Sequence, residues 1–150
     1  MARSDRPSPA AVDAWHAVLL ARGRLLPLLD ADLQETHGLS LDWYDVLYQL
    51  RQAGTSLTMG QLGDRLLVGA SRCSRRIDRM AEAGLVERHR DDGDARIVNV
   101  SLTSDGRALG RRAGATHLRS IQRHFGRFVD DDAAATIGET LAGVVANAEV

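Results

Sequence analysis

The hydrophobic pattern on either side of Gly84 constrains the fold more than any other feature of the sequence. Thr58 and Gln61 have capping-box spacing, which predicts the start of a short helix. A break at Val68–Gly69 leads directly into a second helix, over residues 70–83, which Gly84 ends. Two short helices joined by so brief a turn indicate a helix-turn-helix.

Beyond Gly84 the pattern has a period of two, which is typical of strands. Residues 85–90 and 96–102 are the two predicted strands, and the sequence DDGD between them is the predicted hairpin turn. The sequence therefore predicts a two-stranded wing directly after the helix-turn-helix.

Long helices are predicted on both sides of this region. The first begins near Pro9 and carries an apolar stripe that is interrupted by Pro27, which should bend the helix or break its hydrogen-bond ladder. Ser40 is a favourable N-cap for a helix over 41–53, and two more helices follow the wing, the first reaching about Phe128. The predicted fold class is mainly α: a winged helix-turn-helix with a two-stranded β-wing and long N- and C-terminal helices. The residues of the first stripe are Val12, Trp15, Leu19, Leu26, Leu29 and Leu33.

Charge and composition limit the kinds of site that this chain can have. The formal net charge is −1, and all 19 residues counted as lysine or arginine are arginine. A nucleic-acid site must therefore arise from the local placement of charge. One cysteine cannot form an internal disulfide, no apolar run has membrane-spanning length, and the first residues lack the apolar segment of a signal peptide. We expect a soluble, cytoplasmic protein with no membrane contact.

The helix over 70–83 separates its side chains into two faces. Cys73, Ile77 and Met80 share one narrow stripe, which is the spacing of a core face. Most of the remaining side chains are serines and arginines, which reach base edges and phosphates in a major groove. A solvated, charged helix surface is the alternative. The predicted DNA-contacting residues of this helix are Ser71, Arg72, Ser74, Arg75, Arg76 and Arg79.

The wing and the start of the helix-turn-helix add three residues to this predicted DNA-binding set. Arg96 follows Asp94 by two positions, so both can project beside the turn, and an arginine held there by its aspartate can enter a minor groove. An exposed ion pair of little energetic value is the alternative. Thr58 completes the set. The acidic turn, which includes Asp92, should weaken general attraction to phosphates.

The stretch LLVGASRCSRRIDRMAEAGLVERHRDDGDARIVNVSLTSDG resembles the MarR family of bacterial winged-helix transcription regulators. The resemblance rests on GLVER after the recognition helix and on DAR followed by LT..G, and it extends from LDWYDVL outward over essentially the whole chain. It implies a homodimer whose intertwined terminal helices hold two winged helices over a pseudo-palindromic operator in double-stranded DNA. One domain over 1–150 is then expected, with dimerisation helices over about 9–36 and 104–150 and a DNA-binding region over about 40–103.

The resemblance further implies a repressor that a small molecule releases from its operator. Such a ligand is expected where the dimerisation helices meet the winged helix, and to act by changing the spacing of the two recognition helices. The candidate lining residues are Trp15, His16, Trp43 and Tyr44, which as a group indicate an aromatic ligand, with an aromatic anion and a phenol as the alternatives. For each of these residues alone, a place in the core is the alternative.

Other functions leave weaker traces in the sequence. Cys73 among arginines raises a redox-sensing hypothesis, but its place on the core stripe favours packing. The five histidines include no pair with zinc-ligand spacing, so no metal site is predicted, although folding can bring histidines together for a metal sensor. A winged-helix protein–protein adaptor without DNA binding is a further alternative. No catalytic motif is present, so neither enzymatic activity nor a cofactor is expected.

Overall fold

A computed structural model of the chain describes residues 6–91, 93–94 and 96–148. Its elements are α1 (Pro9–His37), α2 (Leu41–Ala53), β1 (Leu57–Thr58), α3 (Met59–Leu66), α4 (Ala70–Glu82), β2 (Val86–Arg90), β3 (Val98–Leu102), α5 (Ser104–His124), a 3-10 turn (Gly126–Phe128) and α6 (Asp131–Asn147). The predicted fold class, a mainly helical winged helix-turn-helix, is confirmed.

The chain forms two compact units. Among the described residues, 6–29 and 119–148 form a helical unit that contains most of α1, the end of α5 and α6. Residues Asp30–Leu118 form a winged-helix unit that contains α2 to α4, the sheet and most of α5.

The sheet has three antiparallel strands in the order β1-β3-β2, so the prediction of a two-stranded wing was incomplete. Leu57 and Thr58 pair with Val100 and Asn99, and a strand of two residues is too short to show an alternating pattern. The predicted start of β3 at Arg96 was also too early. Strand pairing begins at Val98, because the residues before it close the turn.

Local sequence signals set most of the helix ends. Ser40 caps α2 by accepting the N–H of Trp43, and Thr58 and Gln61 form the predicted capping box at α3. Gly54 and Gly84 adopt left-handed φ values of 67° and 73°, at which other residues are strained.

Helices α1 and α5 test one detail each of the sequence prediction. Helix α1 continues through Pro27, so the proline does not end it. Helix α5 ends at His124 rather than near Phe128, and the residues that follow form a single 3-10 turn, which is common where an α-helix ends.

The core of the winged-helix unit joins all of its elements. Its fully buried side chains include Leu33, Val46, Leu47, Leu62, Cys73, Ile77, Met80, Val86 and Val100. Leu33, the last residue of the predicted apolar stripe on α1, therefore belongs to this core.

The LT..G motif has a structural role at the junction of α4, β3 and α5. The Thr103 hydroxyl donates to the carbonyl of Gly84 at 2.7 Å and accepts the N–H of Gly106 at 2.9 Å. A Cβ atom at Gly106 would overlap the carbonyl oxygen of Leu85, so only glycine fits there without a backbone shift.

The helical unit leaves many large apolar side chains exposed. Trp15, for example, is 59% exposed. None of the described helices, these included, is long and apolar enough to cross a membrane. The exposed set on α1, the 3-10 turn and α6 comprises Val12, Trp15, Leu19, Leu20, Leu26, Leu28, Phe128, Ile137, Leu141, Val144 and Val145.

Candidate nucleic-acid interface

The two faces predicted for α4 are present. Cys73, Ile77 and Met80 are completely buried, and they fix the helix against the core of the winged-helix unit. The other side of the helix is open to solvent, apart from Ser74 and Arg76, which are half-buried. The exposed side chains on that side include Ser71, Arg72, Arg75 and Arg79.

A cavity of about 400 Å³ lies between the start of α2 and the arginine-rich side of α4. Ser40, Asp42 and Trp43 line it from α2. From α4 it is lined by Arg72, Arg75, Arg76 and Arg79. The structure thus brings four of the predicted DNA-contacting residues together with Trp43, which was predicted to contact a ligand.

Arg76 is tied to α2. One of its guanidinium nitrogens lies 2.8 Å from the Asp42 carboxylate, and the other donates to the Asp42 carbonyl at 3.5 Å. Its side chain is only 14% exposed, so its aliphatic stem is buried. Arg76 therefore braces α4 against α2.

Arg96 and Asp94 are paired beside the turn of the wing. The carboxylate of Asp94 accepts the Arg96 Nε at 3.1 Å, Nη2 at 3.2 Å and the backbone N–H at 3.0 Å. These bonds from Arg96 lower the pKa of Asp94 below its ordinary value. The Arg96 side chain is 92% exposed, so the aspartate orients a guanidinium that remains accessible.

Asp91 stabilises the same turn from its other end. Its carboxylate accepts the backbone N–H of Gly93 at 2.9 Å and of Asp94 at 3.2 Å. These two bonds lower the pKa of Asp91. The predicted effect of Asp92 on phosphate attraction concerns a residue outside the described part of the chain.

Sequence reasoning missed an ion pair between the wing and α4. Arg88 of β2 contacts the carboxylate of Asp78, and both side chains are partly exposed. Arg88 has the same parity along β2 as the buried Val86, so strand alternation could have indicated that it faces inward. Nothing in the spacing of the two residues along the chain identifies Asp78 as its partner.

Thr58 has a structural role besides its predicted contact with DNA. Its hydroxyl oxygen accepts the N–H of Gln61 at 3.1 Å, while the Gln61 side chain accepts the N–H of Thr58 at 2.9 Å. Because the hydroxyl accepts in this cap, its own hydrogen is still available for donation to a phosphate oxygen.

The four predicted ligand-binding residues have different surroundings. Trp43 lines the arginine cavity, whereas the neighbouring Tyr44 is buried and packs against His117, with ring centroids 4.7 Å apart. Burial raises the pKa of Tyr44, and nearby Arg51 acts in the opposite direction. Trp15 and His16 belong to the helical unit and are exposed.

Cys73 is a packed residue in this structure. Its thiol is fully buried and lies 4.0 Å from the carbonyl oxygen of Met59. Burial raises the pKa of the thiol, and Arg76 and Arg88 counteract only part of this effect. Among the described residues, no three His, Cys, Asp or Glu side chains are grouped so as to hold a metal ion.

The helix-turn-helix followed by an antiparallel wing defines a winged-helix protein. The sequence model of the MarR family matches residues 37–97 of this chain. The HTH-type transcriptional regulator PecS of Dickeya dadantii is 29% identical over 136 residues, which cover 87% of this chain and 80% of PecS. These matches confirm the predicted resemblance to the MarR family of transcriptional regulators.

Solved structures agree with this assignment. AbsC, a MarR family transcriptional regulator from Streptomyces coelicolor, superimposes with a TM-score of 0.84 at 26% identity, covering 95% of this chain and 96% of AbsC. Sco3205, a MarR family regulator from the same organism solved in complex with DNA, has a TM-score of 0.84 at 23% identity, covering 93% and 92% of the two chains. The similarity to Sco3205 supports the fold assignment only.

Proposed function

We propose that this protein is a sequence-specific regulator that binds double-stranded DNA with α4 in the major groove and Arg96 in the minor groove. The observation that carries the proposal is the pairing of Arg96 with Asp94, which orients an exposed guanidinium in the same compact unit as α4, whose outer side is also rich in arginine. Two arginine-bearing elements of one compact unit suit adjacent grooves of a duplex.

The side chains of α4 divide the work. Arg72 and Arg75 lie near the start of the helix, where a recognition helix contacts base edges. We expect Ser71, Ser74 and Arg79 to contact phosphates or bases. Arg76 contributes by holding α4 against α2 through Asp42, and it is the member of the predicted set with the least freedom to reach DNA.

We further propose that the protein acts as a homodimer on a pseudo-palindromic operator. Support comes from the exposed apolar side chains of the helical unit, which a second copy would cover. A mutant of E. coli MarR has been solved in complex with operator DNA, and its chain has a TM-score of 0.80 and 24% identity with this one. The expected assembly places two copies of α4 over two half-sites.

A small aromatic anion is the proposed effector, and it would release a repressor from its operator. The cavity beside α4 supports this idea because Trp43 offers an aromatic surface and the surrounding guanidinium groups attract a carboxylate. A ligand bound there would occupy Arg72 and Arg75 and so compete directly with bases. This route is simpler than the predicted change in the spacing of the recognition helices.

Selection of bound duplexes from a random DNA pool tests the DNA-binding proposal and yields the operator. Binding to the selected duplex should weaken steeply as salt rises, because arginine–phosphate contacts release counterions. A protein–protein adaptor would select no duplex and show no such dependence. Sedimentation of the free protein at micromolar concentration tests the dimer, and a stable, folded monomer would contradict it.

The effector proposal is tested with a panel of aromatic carboxylates and phenols added to the operator complex. Trp43→Ala should abolish release while leaving operator affinity in the absence of ligand nearly unchanged. His16→Ala, in the helical unit, is the comparison that distinguishes this cavity from a pocket that includes His16. Release that persists in Trp43→Ala would contradict the proposed site.

A further inference from the structure

A second cavity, of about 270 Å³, lies at the base of the wing in the winged-helix unit. It is formed by the end of α2, the loop that follows it, the end of β3 and the first turns of α5. Leu50 and Leu102 provide its apolar floor. Its polar lining consists of Arg51, Thr55, Ser56, Ser101, Arg107 and Arg111.

Among the described residues, no carboxylate is paired with the three arginines of this cavity. No carboxylate lines the cavity, and in the part of the chain that the structure describes none of the three guanidinium groups forms an ion pair. Arg107 and Arg111 are four residues apart on α5, so like charges share one side of the helix at a cost to stability. An anion bound between them would remove this repulsion.

Two of the guanidinium groups are held in place by the backbone. Arg51 donates to the carbonyl of Gly110 at 2.9 Å, and Arg107 donates to the carbonyl of Leu102 at 2.9 Å. A Cβ atom at Gly110 would come within 3.0 Å of the Arg51 Cδ, so glycine allows Arg51 to lie across α5. Each of these contacts uses one of five N–H donors, and the rest remain available to a ligand.

The cavity lies at a distance from the residues of the wing that are proposed to bind DNA. Ser101 and Leu102 pair with Glu87 and Val86, at the end of the hairpin opposite to Arg96. About five residues of extended chain separate the two ends, which corresponds to roughly 15 Å. The cavity therefore lies away from the part of the wing that is proposed to contact DNA.

We propose that this cavity binds the phosphoryl dianion of a small molecule. The guanidinium forks of Arg51, Arg107 and Arg111 match the oxygens of a phosphoryl group, and the hydroxyls of Thr55 and Ser56 add further donors. The apolar floor and the volume leave room for an organic group on the phosphate ester. This inference does not depend on the proposed function, because binding at the cavity needs no DNA.

Titration of the full-length protein with phenyl phosphate and with inorganic phosphate tests the proposal. Binding is measured by calorimetry without DNA and at constant ionic strength, with chloride as the reference anion. Both phosphates should bind and chloride should not. Tighter binding of phenyl phosphate assigns the site to an ester, whereas equal affinities assign it to free phosphate. Absence of binding by either phosphate overturns the proposal.

Arg111→Gln is the informative variant, because Arg111 is exposed and its removal breaks no hydrogen bond or ion pair within the described structure. Loss of its charge-assisted bonds should weaken phosphate binding by about tenfold or more. Arg112→Gln is the matched control: it removes the same charge one position along α5, outside the cavity. Equal losses in both variants, or weaker DNA binding by Arg111→Gln with unchanged phosphate binding, would overturn the assignment.

Discussion

Asp78 in the middle of α4 forms an ion pair with Arg88 of β2, and this pair joins the proposed recognition helix to the wing. Both side chains are partly exposed, so solvent screens their attraction and the pair contributes little to overall stability. Its importance is geometric, because it links two elements that are proposed to contact different grooves.

A double-mutant cycle should detect the contact between these two residues. Asp78→Ala, Arg88→Ala and the double variant are expected to give a coupling of about 0.2–1 kcal/mol in chemical denaturation. Arg90→Ala, which removes a neighbouring arginine of the same strand, should combine additively with Asp78→Ala. Additivity in both cycles would show that the pair does not form in solution.

Arg72→Ala and Arg75→Ala should each relax base preference at particular operator positions. The expected loss of discrimination is about 1–3 kcal/mol, the range of a bidentate arginine–guanine contact. Competition between the operator and its single-base variants measures it for each protein. Arg112→Ala serves as the control for charge and should leave the pattern of preferences intact. An unchanged pattern in both α4 variants would mean that these arginines only decorate a surface.

Arg96→Ala should act differently, because minor-groove readout depends on groove width more than on base edges. Affinities for operator and scrambled duplex should fall together, and the salt dependence should become shallower by about one phosphate contact. Binding of both duplexes across a salt series provides the measurement. A selective loss on the operator alone would assign Arg96 to base recognition.

Cys73→Ala should lower stability by roughly 1 kcal/mol, since it leaves a small cavity in a packed core. DNA binding should be insensitive to peroxide in both the wild type and the variant, because the thiol is buried and its raised pKa disfavours the reactive thiolate. Peroxide-triggered release that disappears in Cys73→Ala would establish the redox alternative instead.

His117 should make the protein less stable in mild acid. Burial lowers the pKa of His117 below its ordinary value of 6.5, and its buried Nδ1 has no hydrogen-bond partner among the described residues. As the pH falls, His117 is protonated in the unfolded chain at a higher pH than in the folded chain. The contribution of neutral His117 to the free energy of unfolding is therefore fully present above about pH 6.5, and it is lost as the pH decreases towards the folded-state pKa. The melting temperature of His117→Phe, which keeps a ring beside Tyr44, should decline less than that of the wild type.

The exposed His16 supplies the comparison for this pH series. His16→Phe, in the helical unit, should retain the wild-type decline in melting temperature. Identical profiles for the wild type and His117→Phe would show that His117 is protonated equally in the folded and unfolded states.

The features that sequence reasoning predicted correctly depend on residues close together in the chain. The caps at Ser40 and Thr58 and the helix end at Gly84 rest on local backbone geometry, which the residue types specify. The pairing of Arg96 with Asp94 is equally local. Each involves partners three or fewer positions apart, so tertiary packing had little influence on the outcome.

Contacts between distant elements were beyond such reasoning. The partner of Arg76 is Asp42, 34 positions away, and no pattern in either helix identifies that contact. Trp43 and Tyr44 were both predicted to line one ligand pocket, yet side chains one position apart on a helix differ by about 100° in direction. The cavity at the base of the wing combines three elements, so it became visible only when these were assembled.

The pairing of β1 with β3 connects the wing to the helix-turn-helix. Thr58 is at once the partner of Asn99 in β3 and the residue that caps α3, so a single residue joins the wing to the helix-turn-helix. Arg76–Asp42 and Asp78–Arg88 add two more restraints on α4. Under the proposed function, these contacts restrain the distance between the DNA contacts of α4 and of Arg96 within one copy of the chain. Adaptation to operators with different half-site spacing would then require a movement of the whole winged-helix unit.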